Sequence, residues 1–254
     1  MLAIDIGNTN ITTGVFEGNN LKAVYRVPTD VCLKRSSFLS LIPIVRKVVH
    51  DAVVMVSVRK KATDIVMMEC EKTSGKTPLL VDVYTPMGIK VHYETMDTLG
   101  TDRLVCAAAA YHLLQKKKRP VVVIDMGTAT TIDYVTEGGT FTGGMIAPGI
   151  RSAYEGLLQA APQLPRLDEL SPGNLIGAST SACVCSGVVM GHAAMIRNVV
   201  EMMGHRRKKR PEVMVTGGLT GMVRDVLPAG YNYDENLILK GLSLINFLQG
   251  ENKC

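Results

Sequence analysis

A short pattern occurs twice in the sequence, and this repeat constrains the fold more than any other feature. The first copy, at residues 2–13, is an apolar run that contains Asp5 and breaks at Gly7 into a turn of Asn and Thr residues. The second copy, at residues 121–131, contains Asp125, 120 residues later in a chain of 254. Each copy predicts a buried strand that runs into a tight polar turn. The repeat indicates a duplicated domain, although an ordinary hairpin turn would explain either copy alone.

The two polar turns are suited to binding phosphate. Gly7 lets backbone amides approach an anion without a side chain in the way, and the neighbouring Asn and Thr side chains add neutral donors. A carboxylate repels phosphate unless a cation lies between them, so Asp5 predicts Mg²⁺ bound together with a nucleotide. We therefore expect one phosphate loop from each half of the chain to face a shared nucleotide cleft.

The elements predicted around the two copies follow the same order. In each half three strands come first and helices follow, which predicts an α/β fold with a mixed sheet in each half. We place the boundary after residue 115, so that residues 1–115 contain the first loop and residues 116–254 contain the second. Helices are predicted at residues 33–49, 61–72, 178–203 and 219–226.

Composition argues against a nucleic-acid or membrane protein. The net charge of +5 comes from two basic runs, residues 116–119 and 206–210, and each run closes a predicted helix, where cations complement the helix dipole. The chain has no Trp and four Phe, so few aromatic rings are available to stack on bases. No apolar run approaches the ~20 residues that span a bilayer. We expect a cytoplasmic protein that binds neither nucleic acid nor membrane.

A third motif, Gly-Thr-Asp-Arg at residues 100–103, begins an Ala-rich helix between the two halves. Asp102 has an ordinary explanation, because a carboxylate in a first turn interacts favourably with the helix dipole, and Thr101 can cap the helix. Arg103 is a poor first-turn residue unless it binds an anion or a carboxylate. The motif is therefore a candidate substrate site, with stabilisation of the helix as the alternative.

Two glycine-rich turns complete the set of motifs. Residues 143–149, Gly-Gly-Met-Ile-Ala-Pro-Gly, contain more glycine than a surface link requires, which predicts a close backbone approach. Residues 216–218, Thr-Gly-Gly, follow the last predicted strand. A glycine pair at such a junction suits a flat ring such as adenine lying over the backbone, and it is equally a common tight turn.

Taken in order, the motifs at residues 5–9, 100–103, 125–131, 143–149 and 216–218 resemble those of type III pantothenate kinases, and the similarity extends to residues 237–242. That family has the duplicated actin-like fold of acetate and sugar kinases, Hsp70 and actin. Its members are homodimers that transfer the γ-phosphoryl group of ATP to pantothenate, the first step of coenzyme A biosynthesis. They also require a monovalent cation, K⁺ or NH₄⁺.

The resemblance implies a role for individual residues. The ATP phosphates and Mg²⁺ would be bound by Asp5, Ile6, Gly7, Asn8, Thr9, Asn10, Ile11, Thr12 and Thr128. Pantothenate would be contacted by Gly100, Thr101, Asp102, Arg103 and Thr180, with Asp102 as the proton acceptor. Asp125 would bind the monovalent cation, and Asp5 would bind Mg²⁺. Two positions depart from the common family pattern, since Ser179 replaces an Asn and Met96 replaces a Pro.

Two other functions are compatible with the phosphate loops. Another small-molecule kinase of the same fold would keep both aspartate loops but not the Gly-Thr-Asp-Arg motif. A non-catalytic regulatory protein would bind ATP only as a conformational switch.

Overall fold

A computed structural model of the chain describes residues 1–42, 52–115, 118–207 and 209–251. The chain divides into two compact units, Met1–Ala109 with Leu237–Cys254 and Ala110–Asn236. These units differ from the predicted halves, 1–115 and 116–254, at the C-terminus. The last helix, Leu237–Glu251, packs on the strands of the first unit because its apolar side chains are buried there.

The strands and α-helices of the described residues have the following bounds. The strands are β1 (Leu2–Ile6), β2 (Asn10–Glu17), β3 (Asn20–Pro28), β4 (Val53–Ser57), β5 (Leu79–Leu80), β6 (Lys90–Val91), β7 (Val121–Met126), β8 (Ala129–Val135), β9 (Thr140–Pro148), β10 (Glu212–Thr216) and β11 (Asn232–Tyr233). The α-helices are α1 (Thr29–Arg35), α2 (Lys60–Ser74), α3 (Thr101–Leu114), α4 (Ile150–Ala160), α5 (Thr180–Cys185), α6 (Gly191–Arg207) and α7 (Leu237–Glu251).

The first unit is built on a mixed sheet with the strand order β3-β2-β1-β4-β5. Strand β1 is antiparallel to β2 and parallel to β4. Because side chains alternate along a strand, Leu2, Ile4 and Ile6 share one face of β1, where they join a buried core with residues of α2. The opposite face is covered by α7, which contacts β1, β2 and β4. Strand β1 is therefore central, as its apolar sequence predicts.

The second unit repeats this topology. Its strands are hydrogen-bonded in the order β9-β8-β7-β10-β11. Strand β7 is antiparallel to β8 and parallel to β10, just as β1 is to β2 and β4. The two mixed sheets confirm the predicted α/β class and the duplication, since each unit has a meander of three strands joined to a parallel pair.

The predicted helix at residues 178–203 is present and contains an irregular turn. Residues Ser186–Met190 form a π-helical turn between α5 and α6. By length and composition the helix Thr180–His205 could cross a membrane, and it is the one such helix in the described part of the chain. Of its most apolar stretch of 18 residues, 44% is buried inside the protein. A core helix of a soluble protein passes the same test, so this property does not assign the helix to a membrane.

Two predicted helices are shorter than expected or of another type. Instead of a helix at 33–49, α1 ends at Arg35, and Ser36 has a left-handed backbone with a φ of 47°. The carboxylate of Glu69 accepts hydrogen bonds from the Phe38 and Leu39 amides, at 2.8 and 2.7 Å, which hold residues 36–42 as a loop. Residues 43–49 of the predicted helix lie outside the described residues.

The segment 219–226, predicted as an α-helix, forms two 3₁₀ turns instead, Thr220–Met222 and Arg224–Val226. The hydroxyl of Thr220 donates to the carbonyl oxygens of Thr216 and Gly217, at 2.9 and 2.8 Å. These bonds hold the chain in a tight turn directly after β10, in place of the regular first turn of an α-helix.

Gly217 lies directly against the backbone of β7. Its φ of +98° is in the region that favours glycine, and a Cβ atom there would lie 2.5 Å from Asp125 Oδ1 and from the backbone N and O of Met126. The neighbouring Gly218 is different, because a Cβ atom there would meet no atom within 4 Å. Only the first glycine of the pair is required by the packing.

We therefore predict that Gly217→Ala destabilises the protein and that Gly218→Ala does not. The strained backbone alone should cost about 1–3 kcal/mol, and the contact with Met126 should add to it. The control should change stability by less than about 0.5 kcal/mol. Thermal unfolding followed by circular dichroism measures both variants, and equal melting temperatures would contradict the prediction.

Candidate active site

The first polar turn is closed by a backbone hydrogen bond and held by a threonine from outside it. The Gly7 amide donates to the Asn10 carbonyl at 2.9 Å. The Thr29 hydroxyl donates to the Gly7 carbonyl at 2.9 Å, and the Thr29 amide donates to the Thr9 carbonyl at 2.9 Å. The side chains of residues 8–10 are exposed. The turn is thus a fixed backbone frame that presents polar side chains to solvent.

Strand alternation divides the predicted ATP-binding residues into two groups. Asp5 pairs with Thr12 across the hairpin, and both are half-buried. Ile6 pairs with Ile11, and both are fully buried in the core. The carboxylate and hydroxyl therefore share one face of the sheet, whereas the two isoleucines can offer a ligand only their backbone.

Residues Gly100–Arg103 form the beginning of α3 as predicted. The Asp102 carboxylate accepts a hydrogen bond from the Arg103 amide at 2.9 Å, and a Cβ atom on Gly100 would lie 2.5 Å from the same carboxylate oxygen. Glycine at position 100 therefore leaves the space that the carboxylate occupies. Asp102 is half-buried, so the predicted dipole interaction and an interaction with a ligand are both open to it.

Arg103 is buried, with 9% of its surface exposed, which is unusual for arginine. Its guanidinium lies 6.0 Å from the centre of the Tyr93 ring, a distance suitable for a cation–π interaction. The arginine that looked misplaced in a first turn is thus packed inside the first unit beside Asp102.

The second polar turn has the same construction as the first. Asp125 pairs with Thr131 across the β7–β8 hairpin, and both are half-buried. The Thr128 carbonyl accepts hydrogen bonds from the Gly149 amide at 3.0 Å and from the Ser152 hydroxyl at 2.7 Å. The turn is therefore anchored to the beginning of α4.

The glycine-rich segment 143–149 makes the close backbone approach that the sequence predicts. A Cβ atom on Gly144 would clash with the carbonyl oxygen of Ile132, and one on Gly149 would clash with the carbonyl oxygen of Gly127. Strand β9 and the beginning of α4 can therefore lie against β8 and the second turn only if these residues lack side chains.

The structure brings some predicted residues together within each unit. In the second unit the Asp125 carboxylate lies beside Gly217, because β10 pairs with β7 and aligns Thr216 with Asp125. Thr180 begins α5, where the Ser179 hydroxyl caps the helix by accepting a hydrogen bond from the Ala182 amide at 3.2 Å. Thr180 itself is exposed.

Sequence reasoning missed two side chains that hold the polar turns or the strand beside them. Thr29 clamps the first turn. His192 forms a buried hydrogen bond of 2.9 Å with Thr130, which follows the second turn, and burial lowers the pKa of this histidine. Both partners are distant in sequence, so no local pattern points to them.

The chemistry of the donors suits Mg²⁺ rather than a metal held by protein ligands alone. No group of three or more His, Cys, Asp or Glu residues converges within the described part of the chain. Mg²⁺ is commonly bound by one or two carboxylates together with substrate phosphates and water. Asp5, a half-buried carboxylate opposite Thr12 beside the first turn, fits that description.

Solved structures identify the fold. The chain has a TM-score of 0.54 to an activator of the 2-hydroxyisocaproyl-CoA dehydratase from Clostridium difficile with bound ADPNP, at 13% identity over 100% of this chain and 97% of that chain. The score is 0.52 to a ROK hexokinase from Thermus thermophilus, at 14% identity over 98% and 99% of the two chains. These similarities, together with the two mixed sheets, show the actin-like fold.

Sequence comparisons identify the family. The family model described as type III pantothenate kinase matches residues 1–202. The type III pantothenate kinase of Moorella thermoacetica is 34% identical, covering 96% of this chain and 98% of the relative. That of Agathobacter rectalis is 35% identical and covers 96% of both chains. The chain belongs to the type III pantothenate kinase family.

Proposed function

We propose that the chain phosphorylates the primary hydroxyl of pantothenate with ATP, the first step of coenzyme A biosynthesis, and that Asp102 accepts the hydroxyl proton. The strongest support is the position of the Asp102 carboxylate, which is half-buried at the beginning of α3 in the space that Gly100 leaves for it. The buried arginine beside it supplies a positive charge for a carboxylate of substrate or protein.

The candidate residues form a phosphate-binding group and a pantothenate-binding group in this proposal. Residues 5–12 and Thr128 bind the phosphates, and Gly100–Arg103 with Thr180 bind pantothenate. Mg²⁺ at Asp5 would neutralise phosphate charge. Phosphoryl transfer asks the protein mainly for positioning and charge stabilisation, which rigid turns of this kind provide.

The reaction moves one proton and exchanges one P–O bond. The pantothenate hydroxyl oxygen attacks the γ-phosphorus, the bond from that phosphorus to the β–γ bridging oxygen breaks, and ADP leaves. The hydroxyl proton passes to the Asp102 carboxylate. Because the transition state is loose, much of this proton transfer comes late, so Asp102 orients the hydroxyl as well as accepting its proton.

Substitution of Asp102 by Asn tests this role, because Asn keeps the size of the side chain but cannot accept the proton. We expect kcat to fall by on the order of 10² to 10⁴ while ATP binding and the melting temperature barely change. Asp97→Asn is the matched control, since the Asp97 carboxylate accepts a hydrogen bond from the exposed Tyr84 hydroxyl at 3.0 Å nearby. Near-normal kcat with lowered stability in Asp102→Asn would make Asp102 a structural residue.

Asp125 is the proposed ligand of a monovalent cation. Its half-buried carboxylate lies beside Gly217, and the strand register places Thr131 opposite it. A carboxylate next to bound phosphates needs a positive partner, because two negative groups repel strongly where water is excluded.

We predict that activity depends on K⁺ or NH₄⁺ in addition to Mg²⁺. In a buffer that contains only Tris and Mg²⁺ salts, turnover should fall to a small fraction, and added KCl should restore it while choline chloride at the same ionic strength should not. Asp125→Asn should lose most activity and the response to K⁺. Full activity without a monovalent cation would remove Asp125 from this role.

We further propose a homodimer in which the partner subunit completes the pantothenate pocket through the segment around Thr180. Support comes from an apolar groove on the second unit, with a volume of about 520 Å³, lined among others by Leu157, Val184, Gly187 and Met195. Near Thr180, Leu175 and Ile176 are 72% and 86% exposed. Exposed apolar surface of this kind is typical of an interface between subunits.

The dimer prediction is tested with Gly187→Arg, because a Cβ atom at Gly187 meets nothing within 4 Å and the subunit can fold around the change. Sedimentation velocity should show a dimer for the unmodified protein and a monomer with little kinase activity for the variant. Gly138→Arg, at an exposed turn, should remain dimeric and active. A fully active monomer at micromolar concentration would refute the proposed interface.

The reaction would take place in the cytoplasm without a nucleic-acid or membrane partner. Two residues of the basic runs are already in ion pairs. Lys209 lies 2.6 Å from Glu137, and Arg119 lies 3.3 Å from Glu212. Part of the positive charge is thereby neutralised within the second unit, which supports a solvated surface rather than a phosphate-binding one.

A further inference from the structure

The first sheet carries a row of three polar residues that ends in an arginine with no assigned role. Strand register aligns Asp5 of β1 with Thr12 of β2, and Thr12 with Arg26 of β3. Residues directly opposite each other on neighbouring strands point to the same face of a sheet. Arg26 is therefore on the Asp5 face, at the same level as the carboxylate.

The flanking residues of β3 confirm which face this is. Tyr25 and Val27 pack against the core cluster that contains Leu2, Ile4 and Ile6. Arg26 lies between them in sequence and so points away from that core, and its side chain is exposed. An arginine is thus presented to solvent on the face where Asp5 is expected to meet Mg²⁺ and phosphate.

The adjacent row on the same face is covered by a helix. Ala3, Gly14 and Val24 form that row. Leu239 of α7 lies over Gly14, with its Cδ1 atom 3.0 Å from the position of a Cβ on that glycine. Helix α7 covers this row, and the row of Asp5, Thr12 and Arg26 comes next in the direction of the phosphate turn.

Strand β3 is fixed to the phosphate turn just beyond Arg26. It ends at Pro28, and the following Thr29 donates hydrogen bonds to the carbonyl oxygens of Gly7 and Thr9. Two strand spacings put the Cα atom of Arg26 roughly 10 Å from that of Asp5. A long arginine side chain can cross that gap above Thr12, and its strand cannot drift from the turn.

A phosphate turn that contains no lysine needs a positively charged side chain from another segment. Residues 2–13 contain no Lys or Arg, and Asp5 adds a negative charge beside the phosphates. Guanidinium is always charged and binds phosphate oxygens in a bidentate manner. We propose that Arg26 binds the β- and γ-phosphate oxygens of ATP over Thr12 and stabilises the charge on them during transfer. This inference rests on the proposed role of residues 5–12 in ATP binding.

The test compares Arg26→Gln and Arg26→Lys with a control on the same strand, Lys22→Gln. Lys22 is exposed and lies 3.3 Å from Glu17 near the other end of the hairpin. We expect kcat/KM for ATP to fall by on the order of 10² to 10³ in Arg26→Gln, to recover partly in Arg26→Lys, and to stay unchanged in Lys22→Gln.

The affinities for ATP, ADP and AMP distinguish a phosphate-binding role of Arg26 from a structural one. Arg26→Gln should weaken binding of ATP strongly and of ADP less, and it should leave the affinity for AMP unchanged, because only the outer phosphates lose a partner. A uniform loss for all three nucleotides together with a lower melting temperature would mean that Arg26 supports the fold. Unchanged ATP kinetics would overturn the proposal directly.

Asp5→Asn separates this inference from the function on which it rests. If Asp5→Asn is inactive and Arg26→Gln is normal, the phosphate turn binds ATP without Arg26 and only the inference fails. If both variants turn over ATP normally, the proposed role of the first turn fails as well.

Discussion

The register between the first two strands of each unit is the constraint on which both polar turns depend. It aligns Asp5 with Thr12 and Asp125 with Thr131. Because side chains alternate along a strand, a shift of one residue would send each carboxylate into the core and each buried neighbour to the surface. Buried Ile6, Ile11 and Met126 make that shift costly, since each would lose its apolar contacts. The hydrophobic core thereby positions the two charged groups of the candidate site.

Glycine has a second role in this fold, which is to let backbones meet. Gly144 and Gly149 admit β9 and α4 against β8 and the second turn, and Gly217 admits the end of β10 against Asp125 and Met126. The contacts of Gly149 and Gly217 join the second polar turn and the end of β7 to elements that are distant in sequence. Backbone contacts of this kind hold the second turn in place, and fixed positioning is what phosphoryl transfer mainly asks of a protein.

Charge in the first unit is distributed over separate elements rather than concentrated in one loop. The first polar turn contains Asp5 and neutral side chains, whereas the arginines lie on other segments, Arg103 at the beginning of α3 and Arg26 on β3. Burial of Arg103 beside Tyr93 strengthens its interaction with any nearby anion, because water is excluded around it. An arrangement of this type differs from nucleotide-binding loops in which one lysine serves the phosphates.

The sequence by itself determined the features that depend on local pattern. The duplication, the two strand-and-turn motifs, the beginning of α3 at the Gly-Thr-Asp-Arg motif and the long helix after Thr180 follow from apolar periodicity and from glycine at fixed places. Only the tertiary structure decided the features that depend on distant partners. Glu69 ends the predicted helix after Arg35, α7 joins the first unit, Thr29 clamps the first turn, and Arg26 shares a row with Asp5. The physical reason is that these outcomes depend on hydrogen bonds and strand registers between residues far apart in the chain, and periodicity along a single segment does not encode them.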